Sequence, residues 1–313
     1  MLVDLESKGH RAGNTGCEGV WQFDSGRAGP CVLITSLIHG NEICGAQAIK
    51  ELIDLLKFDP QLLLRGRLLL VFCNLKAFDK FDPDNLHASR FVDEDMNRVW
   101  SPARLDQSRS TTYESSRANQ LHPWIAQADV LLDLHSMHDA GDPLVLTGLS
   151  DQDIRFARSL ESVGSPVGHI IADAGHRDGV RLRDYQARTT ALLVECGFHL
   201  DEASVGVARQ SIAQVLIKTN LLAPSDALKT WATFNPVRCK QVQVTDAIVA
   251  ESMQMQFAGD WHNMQTIDKA GTLIATDGAT AYRTPYDNCT LIMPSLAQLN
   301  PGVTVVRLGR ALV

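Results

Sequence analysis

The sequence lacks any C-x-x-C pair. Its 7 cysteines stand apart at positions 17, 31, 44, 73, 196, 239 and 289. An odd number without a pairing motif argues against a disulfide framework and against a Cys-rich zinc site, and it fits a reducing cytoplasm. There is no basic tract, and the net charge is −7, so nucleic acid is not the expected partner. No apolar run has the length of a membrane span. The opening residues Met1-Leu2-Val3-Asp4-Leu5-Glu6 lack the charged and apolar regions of a secretory signal, which again points to the cytoplasm and away from a membrane. Internal repeats and low-complexity tracts are absent too. What is present is 313 residues with an ordinary apolar fraction of 45%, enough for one large domain or two smaller ones.

The most informative segment is Val32-Leu33-Ile34-Thr35-Ser36-Leu37-Ile38-His39-Gly40-Asn41-Glu42. An apolar run reads as a buried strand, and Gly40-Asn41 as the turn that ends it. His39 and Glu42 are thereby expected at a strand's C-terminal edge, where open α/β sheets bind ligands. Together they offer two of the three protein ligands of a catalytic zinc site, or else they form a hydrogen-bonded turn pair. A second run, Asp129 to His135, offers a third ligand. A third, Ala191 to Glu195, offers a carboxylate suited to base chemistry. With 10 histidines in the chain, H-x-x-E occurs by chance at roughly 0.3 per sequence of this size, so alone it is weak. His199-Leu200-Asp201-Glu202 fits the same pattern but opens a helix, with Asp201 as N-cap and Val205, Ala208, Ile212, Val215, Leu216 and Thr219 inward. Cys196 beside Glu195 reads as a small buried residue, since no motif pairs a base with it.

Strand-like and helical patterns alternate through the first two thirds. Ile49, Leu52, Ile53 and Leu56 mark a helix after the His-Gly-Asn-Glu turn, and Arg67 to Asn74 a strand. Ser115 to Ala126 reads as a helix. Pro143 to Thr147, Gly168 to Ala172 and Thr190 to Glu195 read as strands. This order predicts an α/β fold with a mixed, largely parallel sheet and helices on both faces. Near Leu221 to Asp226 the style changes. Helical periodicity fades, and Val237 to Val249, Gly271 to Ala275 and Cys289 to Met293 alternate among turn residues. The division expected is a domain over 1–223 and a smaller β-rich one over 224–313.

Four motifs in order give the chain a resemblance to the succinylglutamate desuccinylase/aspartoacylase family, relatives of the zinc carboxypeptidases. They are His39-Gly40-Asn41-Glu42, Arg90 with Asp95-Met96-Asn97-Arg98, Asp133-Leu134-His135, and Val194-Glu195-Cys196-Gly197. The match spans the first two thirds, and the late β-segment resembles the family's C-terminal domain. The resemblance implies that His39, Glu42 and His135 bind one Zn2+ per chain, leaving a fourth position for water. It implies that Glu195 moves a proton from that water to the leaving nitrogen, and that Arg90 stabilises the oxyanion. Asn97 and Arg98 are implied to hold a substrate carboxylate, for which the planar guanidinium fork is suited; surface ion pairs with Asp93, Glu94 or Asp95 are the competing reading.

Other positions stay open. Asp133, two residues before His135, shares its strand face and either orients that ligand or forms an ordinary salt bridge. The arginine that the family places ahead of its catalytic glutamate, for the acyl-side carboxylate, has Arg181, Arg183, Arg188 and Tyr185 as neighbours here. Tyr282 and Tyr286 lie earlier than the family's C-terminal tyrosine. His138 either touches substrate or is a loop histidine, and His176, Arg177 and Asp178 either cover the site or are solvated. The expected activity is zinc-dependent hydrolysis of an N-acyl amino acid or similar small amine, with no nucleic acid or membrane partner and with a homo-oligomer left open. The alternatives are a zinc carboxypeptidase on short peptides and a non-catalytic binding protein that keeps the fold.

Overall fold

A computed structural model describes residues 3–6, 8–106, 110–174, 179–185, 189–233 and 238–312. Seven strands precede residue 200: β1 (Val20–Asp24), β2 (Cys31–Ser36), β3 (Arg67–Phe72), β4 (Val130–Met137), β5 (Leu144–Thr147), β6 (His169–Ala172) and β7 (Thr190–Phe198). Seven follow: β8 (Lys240–Val249), β9 (Gln256–Phe257), β10 (Thr266–Ile267), β11 (Leu273–Asp277), β12 (Thr280–Arg283), β13 (Cys289–Ile292) and β14 (Thr304–Leu312). Eleven of them form one sheet in the order β1-β3-β2-β4-β7-β5-β6-β8-β14-β13-β10, and β12-β11-β9 form a second. The centre of the large sheet, β3-β2-β4-β7, is parallel, while β5 runs antiparallel to β7. The sheet is therefore mixed, with a parallel core, as the alternating pattern predicts.

The helices are α1 (Cys44–Phe58), α2 (Leu75–Phe78), α3 (Tyr113–Ile125), α4 (Asp151–Ser159), α5 (Leu182–Tyr185), α6 (Glu202–Lys218) and α7 (Asp226–Trp231). Because successive side chains of a strand face opposite ways, the central strands feed two cores. Val32, Ile34, Leu68, Leu70, Leu132 and Leu134 pack with Ile49, Leu52, Ile53 and Leu56 of α1 and with Val205, Ala208, Ile212 and Leu216 of α6. Leu33, Leu69, Val71 and Leu131 pack with Ala118, Leu121 and Ile125 of α3. Both faces are thus covered, which is what continuous apolar strands require. α6 begins where its cap signal places it, with the Asp201 carboxylate accepting the Ala203 N–H. α3 begins two residues before the expected Ser115, because Thr112 is its N-cap and closes a reciprocal capping box with Ser115.

The segment after residue 221 differs from its sequence pattern in two ways. It holds a helix, α7, capped by Ser225. Four of its strands also extend the large sheet, because β8 pairs parallel with β6, Lys240 beside His169, while β9, β11 and β12 form the separate antiparallel sheet. It nevertheless has its own apolar cluster, built from Ile248, Met255, Ile274, Leu291 and Val306. Among the described residues no helix is long and apolar enough to cross a membrane.

Candidate functional site

None of the three key polar residues ends its strand, contrary to the expectation from the apolar runs. β2 stops at Ser36, and Leu37 takes φ +58°, so His39 lies in the turn beyond. β4 continues two residues past His135, with a register shift against β7 after His135, and β7 continues to Phe198 past Glu195. A bulge of this kind locally re-aims side chains. Gly40 has no room for a side chain: a Cβ there would lie 2.4 Å from the backbone of Ala77 and Phe78. The glycine therefore lets the turn with His39 and Glu42 lie against α2.

The turn and β4 bring His39, Glu42 and His135 together, all three buried. Nδ1 of His39 stands 2.7 Å from Glu42 Oε1, and Nδ1 of His135 stands 2.7 Å from Glu42 Oε2. One ligand atom from each lies within 4.8 Å of the others, and among the described residues this is the sole such group of three. The outward nitrogens have carboxylate partners. His39 Nε2 is 3.0 Å from Asp95 Oδ1, and His135 Nε2 is 2.9 Å from Asp133 Oδ2. Asp133 Oδ1 in turn accepts the Thr35 hydroxyl at 2.6 Å. Asp133 is thus fully buried and pairs with His135 itself.

Electrostatics here are strong because the groups are dry. Burial alone would raise the Glu42 pKa, but His39 and His135 outweigh it and hold it well below the ordinary carboxylate range. Burial alone would lower His135, but Asp133 and Glu42 raise it well above the usual imidazole value. Asp95 follows Glu42: burial is outweighed by His39 and Arg90, and its pKa falls well below normal. Both imidazole Nδ1 atoms thus face the two oxygens of one buried carboxylate.

Glu195 lies in register with His135 on the neighbouring strand. It is 8% exposed, and its Oε2 has no hydrogen-bond partner among the described residues. Burial pushes its pKa up to about 8, with Glu42 adding to the rise and His135 and Arg90 opposing it. Arg90 spans the group from the other side, with Nη1 3.4 Å from Glu42 Oε1 and Nη2 3.2 Å from Asp95 Oδ2. Asn97 Oδ1 accepts the Leu182 N–H at 3.0 Å, and Arg98 Nη1 donates to the Asn97 carbonyl at 2.9 Å. Arg98 also lies 3.9 Å from Asp95, so it has the nearby acidic neighbour that its competing reading foresees.

All seven sequence-derived residues, His39, Glu42, Arg90, Asn97, Arg98, His135 and Glu195, line one cavity of about 710 Å³. His138 lines it as well. Its pKa is lowered to about 4, by burial first and then by Arg90, and Gln298 contacts its Nε2. Of the other candidates, Arg181 reaches the cavity wall, bonded to Asp173 and Asp184. Arg183 bonds instead to the Thr147 and Asp173 carbonyls and to Asp184, and Tyr185 to His122. Tyr282 meets Glu251 and Tyr286 meets Thr245, both outside the cavity lining. Arg188, His176, Arg177 and Asp178 lie outside the described residues. Cys196 is buried, and burial first, then Cys44, raises its thiol pKa well above normal, consistent with an inert thiol.

Sequence reasoning missed the far wall. Phe257, Trp261, Asn263, Gln298 and Arg307 come from the last third of the chain, and Arg307 of β14 lies 3.3 Å from Asp173. The sole local signal is an arginine inside the apolar run Val305-Val306-Arg307-Leu308, which a solvated strand face explains equally well.

A curated relative, a succinylglutamate desuccinylase of Pseudoalteromonas atlantica, is 22% identical over 84% of this chain and 77% of its own. A second, from Shewanella frigidimarina, is 23% identical over 88% and 82%. Among solved structures, a succinylglutamate desuccinylase from Vibrio cholerae matches 94% of this chain and 86% of its own, with a TM-score of 0.71 at 15% identity. The family model for the succinylglutamate desuccinylase/aspartoacylase catalytic domain matches residues 28–220. That match takes in all four motifs and more than half of the 313 residues, and the chain belongs to the succinylglutamate desuccinylase/aspartoacylase family.

Proposed function

We propose that this chain is a zinc-dependent amidohydrolase that removes the acyl group from an N-acyl amino acid or a similar small N-acyl amine, with one zinc per chain. The observation that carries this reading is the convergence of two imidazole Nδ1 atoms on the Glu42 carboxylate, with each outward nitrogen on its own aspartate. Two imidazoles and a carboxylate are the donor set of an open catalytic zinc site. An aspartate on the far nitrogen fixes each ring and its tautomer, so that the inner lone pair can face a cation. A bound zinc supplies Lewis acidity and makes water a nucleophile at neutral pH.

The remaining chemistry belongs to the side chains. Glu195, beside His135 and with an uncommitted oxygen, accepts the proton of the attacking water and returns it to the leaving nitrogen. Arg90 offers its guanidinium to the charge that develops on the carbonyl oxygen. Arg98, with Asn97 beside it, holds a carboxylate of the amino-acid half. Residues 1–223 are assigned as the catalytic domain and 224–313 as a β-rich domain. The latter supplies the wall with Phe257, Trp261 and Arg307, which closes the cleft toward small substrates.

The test is metal analysis together with turnover. Zinc-loaded protein should carry about one zinc per chain and hydrolyse at least one member of a panel of N-acyl amino acids. Cleavage confined to C-terminal peptide bonds would favour a carboxypeptidase, and tight binding of the panel without turnover a binding protein. Stoichiometric zinc in both His39→Ala and His135→Ala would overturn the ligand assignment.

A further inference from the structure

Glu114 is fully buried in the first turn of α3, yet it takes no part in the chemistry above. Its Oε1 accepts the Val92 N–H at 2.6 Å and the Asn74 side-chain amide at 3.0 Å. Its Oε2 accepts the N–H groups of Asp93 at 3.1 Å and Glu94 at 3.3 Å. Three consecutive backbone amides therefore wrap one carboxylate, as in an anion nest. Burying a carboxylate is costly unless its oxygens are satisfied, and here four amide donors and the positive end of α3 do so.

The clasp is reciprocal. Asp93 Oδ2 accepts the Tyr113 N–H at 2.7 Å, and Glu94 accepts the Thr112 hydroxyl. The clasped loop leads straight into Asp95. Asp95 Oδ1 meets His39 Nε2 and the Asn97 N–H, and its Oδ2 meets Arg90. On the other side, the Arg90 carbonyl accepts the Gly40 N–H at 3.1 Å, which joins the loop to the turn of His39 and Glu42.

From this we infer that Glu114 is a positioning residue: by gripping the amides of residues 92–94 it sets Asp95, and through Asp95 the ring of His39 and the guanidinium of Arg90. The inference rests on reading His39, Glu42 and His135 as metal ligands. Glutamine at position 114 has one acceptor oxygen and an NH2 that would face N–H donors, so it cannot close the clasp.

The experiment compares Glu114→Gln, Asp95→Asn and their double variant with a control in the same helix, Arg117→Met. Arg117 donates to the carbonyls of Glu18, Phe72 and Cys73, away from the loop. Zinc affinity is read by competition with a chromophoric chelator, loop opening by hydrogen exchange over residues 91–98, and the His39 imidazole N–H by NMR. Glu114→Gln should speed exchange over 92–97 and weaken zinc by roughly 10–100-fold, the scale of losing an orienting partner. The double variant should be little worse than the stronger single one, because both act through Asp95. Arg117→Met should lower Tm and leave zinc affinity unchanged. Zinc affinity within two-fold of the parent in Glu114→Gln, or fully additive losses, would overturn the inference. If Glu114→Gln does not fold, Asp93→Ala opens the same clasp from the loop side and should show the same effects at smaller size. If the parent itself binds no zinc, the metal reading fails, and the His39 N–H signal decides for Glu114: its loss in Glu114→Gln supports the positioning role, and its persistence rejects it.

Discussion

Asp95 lies 56 positions from His39 in the chain, yet its Oδ1 stands 3.0 Å from His39 Nε2. Asp133 does the same for His135 from two residues away on β4. One histidine's orientation thus depends on a loop and the other's on a strand. Asp95→Asn and Asp133→Asn should each weaken zinc by roughly 10–100-fold without removing the site, as measured by chelator competition. Because Asp133 sits on β4, paired on both sides within the large sheet, Asp133→Asn should leave loop hydrogen exchange unchanged, whereas Asp95→Asn should raise it. Identical exchange in both variants would mean that the loop does not depend on Asp95.

Glu195→Gln keeps the shape of the side chain but cannot accept a proton. It should retain stoichiometric zinc and lose on the order of 10²–10⁴ in kcat. Activity within a few-fold of the parent on the best substrate would remove Glu195 from the mechanism.

The same residue predicts a pH effect on the metal-free protein. Unfolded, Glu195 ionises near its ordinary value of 4.5, while in the fold it holds its proton up to about 8. Between those values the folded state binds more protons than the unfolded one. Its stabilising contribution, complete below 4.5, is therefore lost as pH rises toward 8. Glu195→Gln has no charge to lose. Chelator-treated variant and parent should be equally stable near pH 4.5, and the variant should become the more stable by a few kcal/mol, in order of magnitude, above pH 8. A constant difference across that range in denaturant titrations would contradict a buried, proton-holding Glu195.

The parallel centre of the sheet was legible because β2, β3, β4 and β7 are buried on both faces and read as continuous apolar runs. The group of His39, Glu42 and His135 was legible because its three members fall in short, ordered motifs. Strand ends were not, since the apolar run Leu37-Ile38 continues beyond the last strand residue and only the φ of Leu37 breaks it. The clasp at Glu114 was hidden for a different reason. A glutamate in a helix's first turn is ordinary, and its partners are backbone amides, which carry no side-chain signature. Arg307 stayed invisible because β14 enters the cavity only through long-range pairing with β8 and β13.

Arg98 is the test of the amino-acid side of the proposed substrate. Its Nη1 already donates to the Asn97 carbonyl and lies 3.9 Å from Asp95, so a structural role competes with a role in gripping substrate. Arg98→Lys keeps the charge and loses the planar fork. If Arg98 holds the α-carboxylate of an N-acyl amino acid, the change should cost about 1.5–3 kcal/mol in kcat/KM, the scale of a charge-assisted hydrogen bond. The loss should nearly vanish for a matched substrate whose carboxylate is replaced by an amide, because neither enzyme then has the contact to lose. Two enzymes and two substrates form a cycle that isolates this pair from general damage to the site. An equal loss on both substrates would place Arg98 in the scaffold around Asp95, and the carboxylate of the amino-acid half would have to be held elsewhere on the cavity wall.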